Sequence, residues 1–140
     1  MKIAKEFRWE MGHRLLEHKG KCYNLHGHSY RLMVEFSGDV SKNGMLIDYF
    51  DVKKIVGPIV DELDHCIVVN KNDTELLNAL KNLRSNYVLL DYESTAENLC
   101  TYFLTKISET LLPDNIEQIM VKVFETENTY AMESLKIKGK

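Results

Sequence analysis

The segment Lys21 to Tyr30, KCYNLHGHSY, constrains this chain more than any other, because it opens an alternating run that reads as a strand from His26 to Phe36. Residues two apart in a strand point to the same side, so His26 and His28 can converge on one ion while Gly27 leaves the opposite face uncrowded. Upstream, Ile3 to Met11 alternate as well, with Ile3, Phe7, Trp9 and Met11 on one parity, and predict an antiparallel partner that delivers His13 at its end. Three imidazoles suit a catalytic zinc ion that keeps a fourth position open, whereas structural zinc is usually closed by four protein ligands. An H-x-H pair alone also fits an ordinary exposed strand; His13 shifts the balance towards metal.

Between the two strands, Arg14 to Leu25 is polar and should form a loop that returns Cys22 towards the metal. Free cysteines are often buried as small apolar groups, but Lys19, Lys21, Tyr23 and Asn24 are not a core pattern, and nearby cations favour a reactive thiolate. His18, in the same loop, reads as a solvated surface histidine.

At 140 residues the chain is expected to be one domain, 1–140, too small to hold separate catalytic and cofactor domains, so a site built on it can call on a second subunit. A formal net charge of −3 offers no basic footprint for nucleic acid. The N-terminus lacks the apolar core of a signal peptide and no run is long enough to span a bilayer. Cys22, Cys66 and Cys100 are an odd number at wide spacings, which fits reduced thiols. Together these features lead us to expect a cytoplasmic protein with a small-molecule ligand.

Apolar residues at Phe50, Val52, Ile55, Val56, Ile59, Val60 and Leu63 predict a helix capped by Asp48, which Pro58 should kink or interrupt. Leu76, Leu77, Leu80 and Leu83 predict a short extra helix over Thr74 to Leu83. Ser94-Thr-Ala-Glu97 fits a capping box, opening a helix that runs to about Leu112 before Pro113. Gln118 to Phe124 and Tyr130 to Ile137 alternate as a hairpin around Glu127-Asn128. The sum is an α+β domain, an antiparallel sheet with helices on one face.

Several residues admit two readings at this level. Asp64 beside His65 suits a proton relay, yet a histidine at a helix C-terminus is equally well explained by the helix dipole. Glu97 already has a structural task as the third residue of a capping box. Glu125, in KVFETENTY, could accept two parallel hydrogen bonds from a cyclic amino-amide, although an exposed glutamate at a strand end is the commoner case.

The ordered set FRWEMGHRL, KCYNLHGHSY, GMLIDYFDVK, LDHCIVVN, STAENL and KVFETENTY resembles the 6-pyruvoyltetrahydropterin synthase and 6-carboxytetrahydropterin synthase family over nearly the full chain. The resemblance implies His13, His26 and His28 as zinc ligands, Cys22 as the active-site thiol with Asp64 and His65 completing a catalytic triad, and Glu125 as the pterin anchor near Thr95 and Glu97. It implies a T-fold (tunnelling fold): a four-stranded antiparallel sheet with two main helices on one face, subunits forming β-barrels, and two trimers stacked as a homohexamer with pterin sites at subunit interfaces. The stretch between His65 and Thr95 is longer than in compact bacterial members, pointing to an insertion around 72–90. Trp9, Glu10 and Met11 stand where the family often has small residues. A folate-pathway variant of the family carries glutamate in place of Cys22, which disfavours that activity here.

The function so implied is conversion of 7,8-dihydroneopterin triphosphate to 6-carboxy-5,6,7,8-tetrahydropterin, a precursor of queuosine and other deazapurines, with loss of triphosphate and acetaldehyde. Formation of 6-pyruvoyltetrahydropterin is the alternative; a bacterial-looking composition favours the carboxy product. Lys19, Lys21 and Arg14 are candidates for the triphosphate, against the simpler reading of solvated loop charges. Readings of another class are a non-catalytic zinc or pterin-binding module, and a zinc hydrolase using Glu97 or Glu125 as base.

Overall fold

The computed structural model describes residues 1–137. Its elements run β1 (Lys2–His13), β2 (His26–Gly38), α1 (Tyr49–Leu63), β3 (Cys66–Asn70), α2 (Thr74–Leu83), β4 (Tyr87–Leu90), α3 (Ala96–Ser108), β5 (Ile116–Phe124) and β6 (Tyr130–Lys136). The expected α+β class holds, but the sheet has six strands in the order β4-β3-β1-β2-β5-β6 rather than four. The four alternating runs form β1, β2, β5 and β6, paired antiparallel as β1–β2, β2–β5 and β5–β6. Strands β3 and β4 extend the β1 edge in parallel. They are short apolar runs, CIVVN and YVLL, with no alternation for a sequence pattern to register.

Alternation also sorts the helices between the two faces. Leu32, Val34 and Phe36 of β2 join Ile119, Val121 and Val123 of β5 in one core with Val52, Val56 and Val60 of α1 and Leu99, Phe103 and Ile107 of α3. Within β3, Val68 belongs to that core, whereas Val69 packs with Leu76 and Leu80 of α2 in a separate cluster. Neighbouring strand residues point to opposite faces, so α2 covers the back of the sheet. The expectation of two main helices on one face is met by α1 and α3; α2 is a third helix on the other face, within a β3–α2–β4 unit that spans the stretch 72–90.

Helix α1 starts where Asp48 accepts a 2.8 Å bond from the Phe50 N–H, a cap worth about 1 kcal/mol. It runs through Pro58 from Tyr49 to Leu63, so the proline does not interrupt it. Pro58 and Lys54 are exposed, so water can satisfy the Lys54 carbonyl that the proline cannot bond. Helix α3 stops at Ser108 rather than Leu112, because the hydroxyls of Ser108 and Thr110 turn back onto the carbonyls of Thr105 and Ile107. Gly12 allows β3 to lie against β1: a Cβ there would stand 2.5 Å from Ile67 Cδ1 and 3.2 Å from the His26 carbonyl oxygen. Among the described residues no helix is long and apolar enough to cross a membrane.

Candidate metal and active site

The β1–β2 register pairs His13 with His26 and Met11 with His28, so the three histidines emerge on the core face of the sheet, beyond the hydrophobic contacts of the helices. One ring nitrogen from each of His13, His26 and His28 lies within 4.8 Å of the others, close enough to share a metal ion. The backbone fixes which nitrogens are available. His13 Nδ1 donates to the Ser94 carbonyl at 3.0 Å, with the Ser94 hydroxyl oxygen also at 3.0 Å, and His26 Nδ1 donates to the Asn24 carbonyl at 2.6 Å. A carbonyl can only accept, so both rings carry their proton on Nδ1 and keep the Nε2 lone pair for a ligand, as metal-binding histidines require.

Electrostatics agree with the geometry. Burial, reinforced by the neighbouring His26 and His28, lowers the His13 pKa to about 4. Burial and then His26 lower that of His28 as well. Neutral imidazole is the form that binds metal. The donor set, the tautomers of His13 and His26 and the lowered pKa values of His13 and His28 therefore fit a divalent ion.

Asp64 and His65 follow α1 as a connected pair, His65 Nδ1 lying 2.9 Å from Asp64 Oδ1. Both are pinned to β1: the Glu10 N–H donates to Asp64 Oδ1 at 2.9 Å, and the His65 N–H donates to the Glu10 carbonyl at 2.7 Å. The Glu10 amide foremost, then the His65 ring, holds the Asp64 carboxyl below the usual carboxylate range. His65 adopts φ +59°, a left-handed conformation uncommon outside glycine, which turns its exposed ring into a concavity of about 460 Å³. Glu10, Gly12, Gly27 and Ser29, on the sheet face opposite the three imidazoles, line the same concavity together with Met11, His26, His28, Cys66 and Ile67, whereas His13 and Asp64 do not, so the Asp64–His65 pair and the three-histidine cluster do not share one pocket within the chain.

Cys22 sits half-buried in a single 3₁₀ turn, Lys21–Tyr23, between β1 and β2, and the Leu15 N–H donates to its carbonyl at 2.8 Å. Among the described residues its thiol makes no hydrogen bond. Arg14, a sequence candidate for the triphosphate, is occupied: its Nε and Nη2 donate to the two carboxylate oxygens of Asp73 at 2.6 and 2.5 Å, and its side chain is only 11% exposed. Lys19 and Lys21 remain exposed on the loop.

The capping box is not formed. Thr95, not Ser94, caps α3, its Oγ1 accepting from the Asn98 N–H at 3.2 Å. Ser94 is buried against His13 instead, and Glu97 is free to line a pocket with Glu125, Thr129 and Tyr130. Burial raises the Glu125 pKa, the charge of Glu97 adds to it, and His26 opposes. Glu125 thus lies within the electrostatic reach of His26. Two residues that the sequence reading did not assign to the site border the cluster: Ser94, and Tyr30, whose buried hydroxyl has no partner among the described residues. The Tyr30 ring stacks on Trp9 at 5.0 Å and lies 5.4 Å from that of His28. Its shared parity with His26 and His28 is the signal that could have flagged it.

A family model described as 6-pyruvoyl tetrahydropterin synthase matches residues 2–134. A 6-carboxy-5,6,7,8-tetrahydropterin synthase of Haemophilus influenzae is 33% identical over 137 residues, spanning 92% of this chain and 95% of that protein. An enzyme of the same name from Rickettsia conorii is 29% identical over 134 residues, 93% of this chain and 97% of its own. Among solved structures, the 6-pyruvoyl tetrahydropterin synthase of Plasmodium vivax superposes with a TM-score of 0.79 at 19% identity, covering 98% of each chain. That of Caenorhabditis elegans gives 0.67 at 23% identity, covering 97% of this chain and 94% of its own. At these identities the structures speak for the fold alone.

Proposed function

The chain belongs to the 6-pyruvoyl tetrahydropterin synthase family, and from that premise we propose that it converts 7,8-dihydroneopterin triphosphate and one water to 6-carboxy-5,6,7,8-tetrahydropterin, acetaldehyde and triphosphate. The observation that carries this reading is the cluster of His13, His26 and His28, whose ring nitrogens lie within 4.8 Å of one another on the core face of the sheet. The names of the Haemophilus and Rickettsia relatives favour the carboxy product over the pyruvoyl one.

His13, His26 and His28 would hold zinc through one nitrogen each. When bound, zinc supplies a Lewis acid that lowers the pKa of coordinated hydroxyls. The Cys22 thiolate takes a proton from the substrate side chain next to the pterin ring. His65 handles the second proton transfer, with Asp64 fixing its ring through Nδ1 and leaving Nε2 for the substrate. Glu125, which shares a pocket with Glu97, accepts two parallel N–H bonds from the amino-amide edge of the pterin, with Thr95 expected close by at the start of α3. Two donors directed at a half-buried carboxylate restore the ionised form that burial disfavours.

Assembly follows the same reading. Strand β6 is a sheet edge with Tyr130 and Met132 more than half exposed, an open template for pairing with another subunit. A cytoplasmic homohexamer built from β-barrels, with substrate sites at subunit interfaces, would cover that edge and the exposed Asp64–His65 pair. Its mass in solution, measured by light scattering, tests this arm directly.

The activity is tested by incubating zinc-loaded protein with 7,8-dihydroneopterin triphosphate and identifying the products by mass. Acetaldehyde with a carboxypterin is expected. A pyruvoyl side chain would redirect the proposal to 6-pyruvoyltetrahydropterin, a precursor role in deazapurine synthesis then falling away. Cys22→Ala should retain pterin affinity and lose about 10²- to 10⁴-fold in turnover. Binding without turnover in the unsubstituted protein would identify a non-catalytic module instead.

A further inference from the structure

Helix α2 of the unit β3–α2–β4 packs on the sheet face opposite the histidine cluster. The polar contacts of the unit nevertheless converge on one target, the loop that carries Cys22. Asp73, at the turn from β3 into α2, is 2% exposed and grips the Arg14 guanidinium through both carboxylate oxygens. Arg14 in turn lies over the ring of Tyr23, its Cζ 5.0 Å from the ring centroid, and Tyr23 is covalently next to Cys22. Just past β4, Glu93 accepts the Leu16 N–H at 3.0 Å through one carboxylate oxygen and the Asn70 side-chain amide at 3.2 Å through the other. The Asn98 amide holds the Glu93 carbonyl at 2.8 Å, which ties this second anchor to the start of α3.

We propose that the β3–α2–β4 unit positions the Cys22 thiol: Asp73 fixes the Arg14 guanidinium, on which the Tyr23 side of the Cys22 turn rests, and Glu93 fixes the other end of the loop at Leu16. This rests on the reading of Cys22 as the reactive thiol. Without these two anchors the loop is held by few contacts of its own, chiefly Leu15 N–H to the Cys22 carbonyl and short turns at His18 and Tyr23. A bidentate, largely desolvated guanidinium–carboxylate pair is directional enough to set such a loop. Arg14, Asp73, Tyr23 and Glu93 are thus positioning residues, acting on chemistry through Cys22.

The test combines hydrogen exchange of the loop amides with the rate at which iodoacetamide alkylates Cys22, read by peptide mass in zinc-loaded protein. Asp73→Asn keeps an oxygen to cap Leu76 N–H but loses the charge and one acceptor for Arg14. Exchange over residues 14–25 should quicken at least tenfold and the alkylation rate of Cys22 change at least threefold, with β2 exchange and zinc stoichiometry unchanged. Where turnover is measurable, kcat should fall at least tenfold with KM within twofold. Tyr23→Leu, at an exposed position that does not threaten folding, should move exchange and alkylation in the same direction, and Tyr23→Phe should restore both because the ring face is the contact. If Asp73→Asn fails to fold, Tyr23→Leu with Glu93→Gln carries the same readouts. Loop exchange and Cys22 alkylation within twofold of the unsubstituted protein would overturn the proposal. Exchange and alkylation need no pterin turnover, so failure of the proposed reaction and failure of the clamp are separately visible.

Discussion

His13 and His65 are the same side chain in opposite settings. His13 ends a twelve-residue strand paired along its whole length with β2, is 1% exposed, and has its Nδ1 proton committed to a backbone carbonyl. His65 follows the end of a helix in a left-handed conformation, has a side chain 77% exposed, and faces the carboxylate of Asp64. A carbonyl partner with burial locks an imidazole neutral, which suits a metal ligand; a carboxylate partner with solvent access orients a ring through which a proton can pass. The proposed metal-binding half of the site is built on paired strands, and the proposed proton-handling half on element ends. The first is complete within one chain, whereas the second stands open in it.

The largest effect that would sharpen this contrast is expected from the buried half. His26→Ala should remove the bound metal and, with it, several kcal/mol of charge stabilisation, lowering turnover by at least about 10³-fold. Metal content by mass spectrometry and product formation check both. His65→Ala should leave metal content intact and reduce turnover by about 10²-fold, the low end for loss of a positioned acid or base. Loss of metal in this second variant would break the division between the two histidines.

Acid should separate them next. Above pH 6.5 His13 is neutral in both folded and unfolded chains; as pH falls from 6.5 towards the folded value of about 4, only the unfolded chain takes up the proton. Metal-free protein should therefore lose about 3 kcal/mol of stability across that window from His13, at about 1.4 kcal/mol per pH unit, with His28 acting in the same direction. The raised Glu125 carboxyl opposes this, since the folded chain binds its proton first. Urea unfolding of His13→Gln beside the unsubstituted protein isolates the histidine contribution: the substitution should flatten the slope. The smallest effect is expected from Ser94→Ala, which removes the hydroxyl and keeps the carbonyl on His13 Nδ1. About a tenfold loss of metal affinity, at the low end for an outer partner of a metal ligand, should be visible by competitive titration with a chromophoric chelator.

What was legible in the sequence divides along the range of the interactions. The strands β1, β2, β5 and β6 and the helices α1 and α2 follow from periodicity, and α2 spans the expected Thr74 to Leu83. Asp48 acts as the expected cap because capping is a contact between near neighbours. The two added strands and the back-face position of α2 were not legible, because an uninterrupted apolar run of four or five residues states neither its pairing nor its face. At α3, local pattern misled: Ser94 and Glu97 stand at the spacing of a capping box, yet Ser94 turns to His13, 81 residues away in sequence, and leaves the cap to Thr95. Arg14 misled likewise, a loop cation by its neighbours and the partner of Asp73, 59 residues on, by its fold.

The sequence by itself determined the chemical inventory and the local geometry: two histidines on one strand face, a third at the end of a second strand, a thiol in the loop between them, and a carboxylate beside a fourth histidine after a helix. Side-chain alternation in strands and spacing in helices are properties of the backbone, and they leave their trace in consecutive residues. Only the tertiary structure decided that Ser94 sets the His13 tautomer, that Glu10 pins Asp64 and His65 to β1, and that Asp73 and Glu93 reach the Cys22 loop. These contacts join polar groups to partners distant in the chain, and the need for a partner is written in the residue while its identity depends on how the whole chain packs.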